Sequence, residues 1–298
     1  MNLTIQSAAD LWLHTLETRK RKPAKPATLA TFSSYIRGHI APDIGSLVLA
    51  SFENGLMREF VARLSEKELA PKTINEISNV VRQIVASVVD KNGNELFPRK
   101  WNSDFIDAPV VECQHQPTVT VAQIEQAIAT APESDAVLYL LLASSGLRVG
   151  EAIALKVGES FADGAVIVRS SVWRRREQAP KTAAALREVE LAKPAAERIL
   201  QFAEGRSGYL FGNGLPPAVS TLRERLAERG IPGFHSFRRF RATTLRAARC
   251  PEELIRYFLG HADQSITDRY SSLASDAKVR REWADRVGTG FEVPKCRP

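Results

Sequence analysis

The segment 235-HSFRRFRATTLRAARCPEELIRYFLGHADQSITDRY-270 decides how the rest of the chain is read. His235 and Arg238 stand three apart, a spacing that brings an imidazole and a guanidinium to one face of a helix. Basic residues then crowd into 238-RRFRATTLRAAR-249, as they do in 19-RKRKPAK-25 and at Arg174, Arg175 and Arg176. Clustered cations are what a phosphate backbone requires. Each cluster by itself also fits an ordinary solvated face.

Moving outward, the 298-residue chain exceeds the usual size of one domain, and its 44% hydrophobic content can build two cores. Lys and Arg outnumber Asp and Glu by 41 to 34, a net charge of +7. Divided near residue 110, the excess is +2 in the first part and +5 in the second. The isoelectric point of about 9.4 suits a polyanionic partner. Cys113, Cys250 and Cys296 are odd in number and far apart, with no histidine at metal-ligand spacing, so neither disulfides nor a metal site is expected. The start lacks a basic segment followed by an apolar core, and no apolar run approaches a membrane span of roughly 18 residues. The expectation is a cytoplasmic protein with no membrane partner.

From Thr4 to about Asp90, Pro and Gly signals at 23-PAKP-26, 41-APDIG-45 and 69-LAPKT-73 separate four helical stretches. In the last, Ile74, Ile77, Val81, Ile84, Val85 and Val88 share a face, and Thr73 is the expected cap. Periodicity fails between about 92 and 117, where Gly93, Pro98, Pro109 and Pro117 suggest a connector. The expected layout is a helical domain over 1–108, this connector, and a second domain over 118–298 with a tail helix. The second opens with Thr120 and Gln123 spaced as a capping box, followed by the apolar helix 136-AVLYLLLA-143. Residues 164-GAVIVRSSVW-173 and 187-REVEL-191 carry the β-branched alternation of a hairpin among helices. A mainly α fold with an α+β second domain and a small antiparallel sheet follows.

The pieces 145-SGLRVGE-151, 180-PKT-182, 235-HSFR-238, 259-LGH-261 and Tyr270 occur in this order. Together they resemble the catalytic domain of the tyrosine recombinases of the phage-integrase type. That pattern runs from an Arg in a T-G-L-R-x-x-E segment through a hairpin Lys, H-x-x-R and L-G-H to a Tyr nine residues after the last His. The stretch 26-PATLATFSSYIRGHIAPDIG-45 is similar to the four-helix, SAM-like DNA-clamping domain of the same family. Ser145 replaces the usual Thr, and Arg239 and Arg241 stand where many relatives carry a His and an apolar residue.

The resemblance implies a site-specific recombinase or integrase, as mobile elements use, that cuts and rejoins DNA through a 3′-phosphotyrosyl link on Tyr270, without metal, ATP or other cofactor. Arg148 and Arg238 would offer paired donors to the scissile phosphate, where the transition state gathers negative charge. His235 would take and return a proton, Lys181 would protonate the departing 5′ oxygen, and His261 would donate to a phosphate oxygen. Glu151, one helical turn beyond Arg148, would orient the cations. Arg174, Arg175, Arg176, Arg239 and Arg241 are candidate DNA contacts, and Trp173 could stack on DNA or pack on its strand. Taken singly, each has an ordinary reading: a helix-end arginine, a turn lysine, a capping histidine, a half-buried tyrosine.

The implied assembly is a C-shaped clamp on double-stranded DNA sites, four protomers on two sites, with a monomer or weak oligomer when free. Backbone contacts would dominate affinity, which would fall steeply with salt. Val279, Trp283 and Val287 form a stripe that fits docking on a neighbouring protomer or on its own domain. Two other activities share parts of this pattern: a type IB topoisomerase and a non-cleaving DNA-binding accessory protein.

Overall fold

The computed structural model describes residues 3–112, 116–179, 185–261 and 273–294. The chain divides into two compact units, residues 1–115 and 116–298.

In the first unit α1 (Ile5–Thr18) is capped by Thr4, whose hydroxyl accepts from the Ser7 amide. Helix α2 (Pro26–Tyr35) begins with a proline at its first turn, where no N–H is needed. It runs through a π-helical turn, Ile36–Ile40, into α3 (Ala41–Ile44). Pro42 explains that turn: with no N–H it cannot donate to the fourth carbonyl back, and the Ala41 amide reaches five back, to Ile36. Helices α4 (Asn54–Ser65) and α5 (Pro71–Ala86) complete the core, in which Ile5, Trp12, Ile40, Phe52, Phe60, Ile77 and Ile84 are buried. Helix α5 starts at Pro71 with Ala70 at its cap position, so Thr73 lies inside the first turn rather than capping it.

Much of the expected connector is strapped onto this unit. Arg99 donates to the carbonyls of Phe52 and Ala50 (3.1 and 2.8 Å), and Asn54 donates to Lys100 O (3.2 Å). A short helix α6 (Ser103–Ile106) buries Ile106 in the same core, and Asn75 donates to Pro109 O (2.9 Å). Such backbone acceptors, satisfied by long-range side chains, leave no periodic signal in sequence.

The second unit starts with α7 (Val121–Thr130), where Thr120 and Gln123 form the expected capping box. Helix α8 (Glu133–Ser145) is buried continuously from Asp135 onward and is the axis of the second core. Around it lie α9 (Val149–Ala152), α10 (Lys193–Ala203), α11 (Val219–Ala227), α12 (His235–Ala247), α13 (Glu252–Leu259) and α14 (Ala277–Val287). Tyr139 of α8 stacks on Phe237 of α12 with ring centroids 5.7 Å apart.

The strands are shorter and more numerous than the expected hairpin. Strands β1 (Phe161–Ala162), β2 (Ala165–Val168) and β5 (Arg187–Glu190) form one antiparallel sheet in the order β1-β2-β5. Strands β3 (Ser171–Trp173) and β4 (Arg176–Gln178) form a second, two-stranded ribbon. Residues 164–173 therefore break at Arg169 and Ser170 and serve two sheets. In the tail, Val279, Trp283 and Val287 pack against the core of their own unit. Among the described residues no helix is long and apolar enough to cross a membrane.

Candidate functional site

Helix α8 ends at Gly146, whose φ of +72° gives the left-handed cap that glycine accepts without strain. The Ser145 hydroxyl reinforces this end, donating to Leu141 O and accepting from the Leu147 amide. The chain then extends through Arg148, the cap residue of α9, and returns Glu151 beneath it. The Glu151 carboxylate accepts the Arg148 amide at 3.0 Å and its guanidinium at 2.7 Å. Its Oε2 also accepts Arg187 of β5 at 3.1 Å. Burial of Glu151 opposes its charge, but Arg187 and these hydrogen bonds outweigh it and hold the carboxyl below the usual carboxylate range.

Three guanidiniums from three different elements converge on the C-terminal end of α13. Arg187 donates to Phe258 O at 3.0 Å, Arg238 donates to Leu259 O, and Arg148 approaches Gly260 O at 3.5 Å. The last carbonyls of a helix lack intrahelical partners and carry partial negative charge, so cations gather there. Gly260 makes the convergence possible: its φ is +63°, and a Cβ there would lie 2.6 Å from an Arg187 nitrogen. The glycine of 259-LGH-261 is thus both a helix cap and a space for a guanidinium.

Arg238 also donates to Gly146 O at 2.9 Å, joining the ends of α8 and α13. It is 4% exposed. Burial, then the nearby Arg148 charge, push its pKa down to about 10, which still leaves it charged at neutral pH. His235, on the first turn of the same helix, stays exposed. Partial burial and the charges of Arg238, Arg239 and Arg148 lower its pKa below the ordinary histidine value, so the neutral ring dominates at pH 7. The His261 amide continues the helix end, donating to Arg256 O at 3.0 Å.

The structure therefore brings Arg148, Glu151, Arg238 and the residue before His261 around one helix terminus. Lys181, between β4 and β5, and Tyr270, between α13 and α14, lie outside the described residues, as do Cys113 and Cys296. Cys250 is a buried thiol. Among the described residues no group of three or more His, Cys, Asp or Glu side chains could hold a metal ion.

The candidate DNA contacts divide. Arg174, Arg175 and Arg176 are exposed at the tip of the β3–β4 ribbon, with Arg174 over the Trp173 ring at 4.7 Å. Arg174 and Arg175 both have positive φ (48° and 62°), a conformation usually left to Asn and Gly. Arg239 is committed to Pro117 O and the Gln116 side chain at 2.7 and 3.1 Å. Arg241 corrects the expectation of a DNA-facing residue: it is 3% exposed and donates to Gly288 O at 2.6 Å. Arg187 is the residue that sequence reading missed. Its place in 187-REVEL-191 reads as ordinary strand alternation, and the available signal is an arginine in register with the inward-facing Val189.

Fold and side chains together define a mainly helical unit with small antiparallel sheets, built around arginines held at one helix end. Residues 117–276, more than half of the chain, match the model of the phage integrase family, and the chain belongs to that family. Among solved structures it is similar to the Tn1549 transposon integrase in complex with a circular intermediate DNA, with a TM-score of 0.70 and 19% identity over 88% of this chain and 94% of that one. It is likewise similar to a lambda integrase tetramer bound to a Holliday junction, with a TM-score of 0.64 and 18% identity over 99% of this chain and 81% of that one. Identities this low speak for the fold alone. No curated protein matches the sequence.

Proposed function

We propose that the protein is a site-specific DNA recombinase that cleaves and rejoins strands by transesterification on Tyr270. The observation that carries this reading is the pairing of Arg148 and Arg238 at the C-terminal end of α13, immediately before 261-HADQSITDRY-270. Two guanidiniums supply planar donors for the oxygens of one phosphate and stabilise the charge of the pentacovalent state. A tyrosine hydroxyl with a pKa of about 10 is mostly protonated at neutral pH and needs a base. His235 is kept neutral and suits that role, Lys181 would protonate the leaving 5′ oxygen, and His261 would donate to a phosphate oxygen. The phosphotyrosyl link retains the energy of the broken bond, so religation needs no nucleotide.

The helical unit 1–115 would add backbone contacts to duplex DNA, and Arg174, Arg175 and Arg176 would add more from the second unit. Support for DNA as partner, and for four protomers on two sites, comes from the lambda integrase tetramer on a Holliday junction, whose fold this chain shares.

A nicked suicide substrate tests the reading. Wild-type protein should form a covalent adduct that survives denaturation, and Tyr270→Phe should bind the same DNA and form none. Persistence of the adduct in that variant moves the nucleophile elsewhere. Relaxation of a plasmid that carries no special site marks a topoisomerase instead.

The lowered His235 pKa gives a second expectation. At sub-saturating DNA the rate of adduct formation reports the free enzyme, so it should rise with pH with a midpoint below about 6.5. His235→Gln should lose that acidic limb. A midpoint above the ordinary histidine value contradicts a base held neutral by its cationic neighbours.

A further inference from the structure

Beyond the arginines at the end of α13, another buried cation follows Tyr270 in sequence. Arg280 of α14 is 4% exposed and donates in several directions. It pairs with Glu190 at 2.8 Å and Glu188 at 3.2 Å, both on β5, and lies 4.9 Å from the centre of the Tyr257 ring. Its third nitrogen, Nη1, donates to the main chain, to Ala274 O at 2.9 Å. The amide of that same residue donates to the Glu253 carboxylate of α13 at 3.1 Å. Both polar groups of the Ala274 backbone are thus held by charged side chains from two different helices.

The apolar face of α14 already attaches that helix to its unit through Val279 and Trp283. A guanidinium spent on the Ala274 carbonyl contributes something else: it fixes a point of the chain four residues after Tyr270. Four residues of extended chain span at most about 14 Å, so an anchor there limits where the tyrosine hydroxyl can go. Strand β5 supplies the frame of reference. Its Arg187 is bonded to Glu151 and to Phe258 O, while three residues further on its Glu190 holds Arg280. Three strand residues span about 10 Å, so one rigid element carries both the arginine cluster and the downstream anchor.

We propose that Arg280 and Glu253 are positioning residues, which clamp the Ala274 backbone and thereby register the Tyr270 nucleophile against the phosphate held by Arg148 and Arg238. This rests on the recombinase reading given above. Misplacing a reacting group by about 1 Å costs on the order of a hundredfold in rate, while binding of DNA elsewhere is untouched.

The test uses the full chain with three substitutions: Arg280→Lys, which keeps the charge but not the several planar donors; Glu253→Ala, which removes the acceptor of the Ala274 amide; and Glu253→Gln, which restores an acceptor. Site-DNA affinity, thermal midpoint and single-turnover adduct formation at saturating DNA are measured for each. Expected are near-wild-type affinity throughout, a near-wild-type midpoint in the Glu253 variants and a lowered one in Arg280→Lys, adduct formation slowed about tenfold to a hundredfold in Arg280→Lys and Glu253→Ala, and recovery in Glu253→Gln. If Arg280→Lys does not fold, the glutamate pair carries the test alone. Wild-type cleavage by folded Glu253→Ala overturns the proposal, as does a loss that Glu253→Gln fails to relieve. Failure of the wild-type protein to form any adduct is a different result and overturns the recombinase reading itself.

Discussion

Replacing Arg238 with lysine is expected to slow adduct formation about 10²- to 10³-fold, the usual cost of one lost donor at a site where charge develops. Site-DNA affinity should change little. Two of the five N–H groups of Arg238 are engaged by Gly146 O and Leu259 O, which leaves others for a phosphate oxygen. A lysine ammonium cannot tie the ends of α8 and α13 together and present a planar pair at the same time. It is also neutralised more readily where the arginine is already pushed down to about 10 by burial. Single-turnover cleavage of the nicked substrate, set beside an affinity measured at the same salt, reads the effect. Cleavage within threefold of wild type would mean that charge alone suffices at this position, and Arg238 would lose its assigned role.

What could be read without coordinates depended on how local the physical cause was. The buried helix α8 declares itself, because an unbroken apolar run such as 136-AVLYLLLA-143 has no face for water. The capping box of Thr120 and Gln123 is equally local, with both partners inside one turn. His235 and Arg238 fall on one helix for the same reason. Failures began where a partner lay far along the chain. Arg187 finds Glu151 36 residues away and Phe258 O 71 residues away, and no period in the strand records either bond. Arg241 reads as one more surface cation in a basic helix, yet its acceptor is Gly288, 47 residues on. Thr73 and Pro71 compete to start α5, and the proline prevails because its fixed φ suits the first turn and it has no N–H to satisfy.

The gathering of arginines around Glu151 raises an energetic problem that the neighbouring carbonyls solve. Like charges brought together in a partly buried place repel, and burial first, then this repulsion, lowers the pKa values of Arg238 and His235. The terminal carbonyls of α13 offset part of it by accepting from all three guanidiniums. Glu151, a carboxylate bonded to both Arg148 and Arg187, offsets more. On the recombinase reading proposed above, a phosphate would add a further counter-charge to this cluster.

Glu151→Leu is therefore expected to produce the largest loss of stability among changes at this site, about 3–5 kcal/mol, because it leaves a buried cation without its counter-charge. The Arg187 side chain is 1% exposed, and its bonds to Phe258 O and Ala185 O satisfy donors without neutralising charge. Glu151→Gln keeps the hydrogen-bond geometry and should cost less. The two variants also separate charge from shape through pH. The folded-state pKa of Glu151 lies below its ordinary value, so its contribution is fully present above the unfolded carboxylate pKa of about 4.3 and is lost as pH falls through the folded value. The stability gap between wild type and Glu151→Gln, measured by denaturant midpoints, should hence be constant from neutral pH down to about 5 and shrink below it. A gap that persists unchanged into the acid range would show that the carboxylate charge contributes nothing and that Arg187 is balanced by its carbonyl acceptors alone.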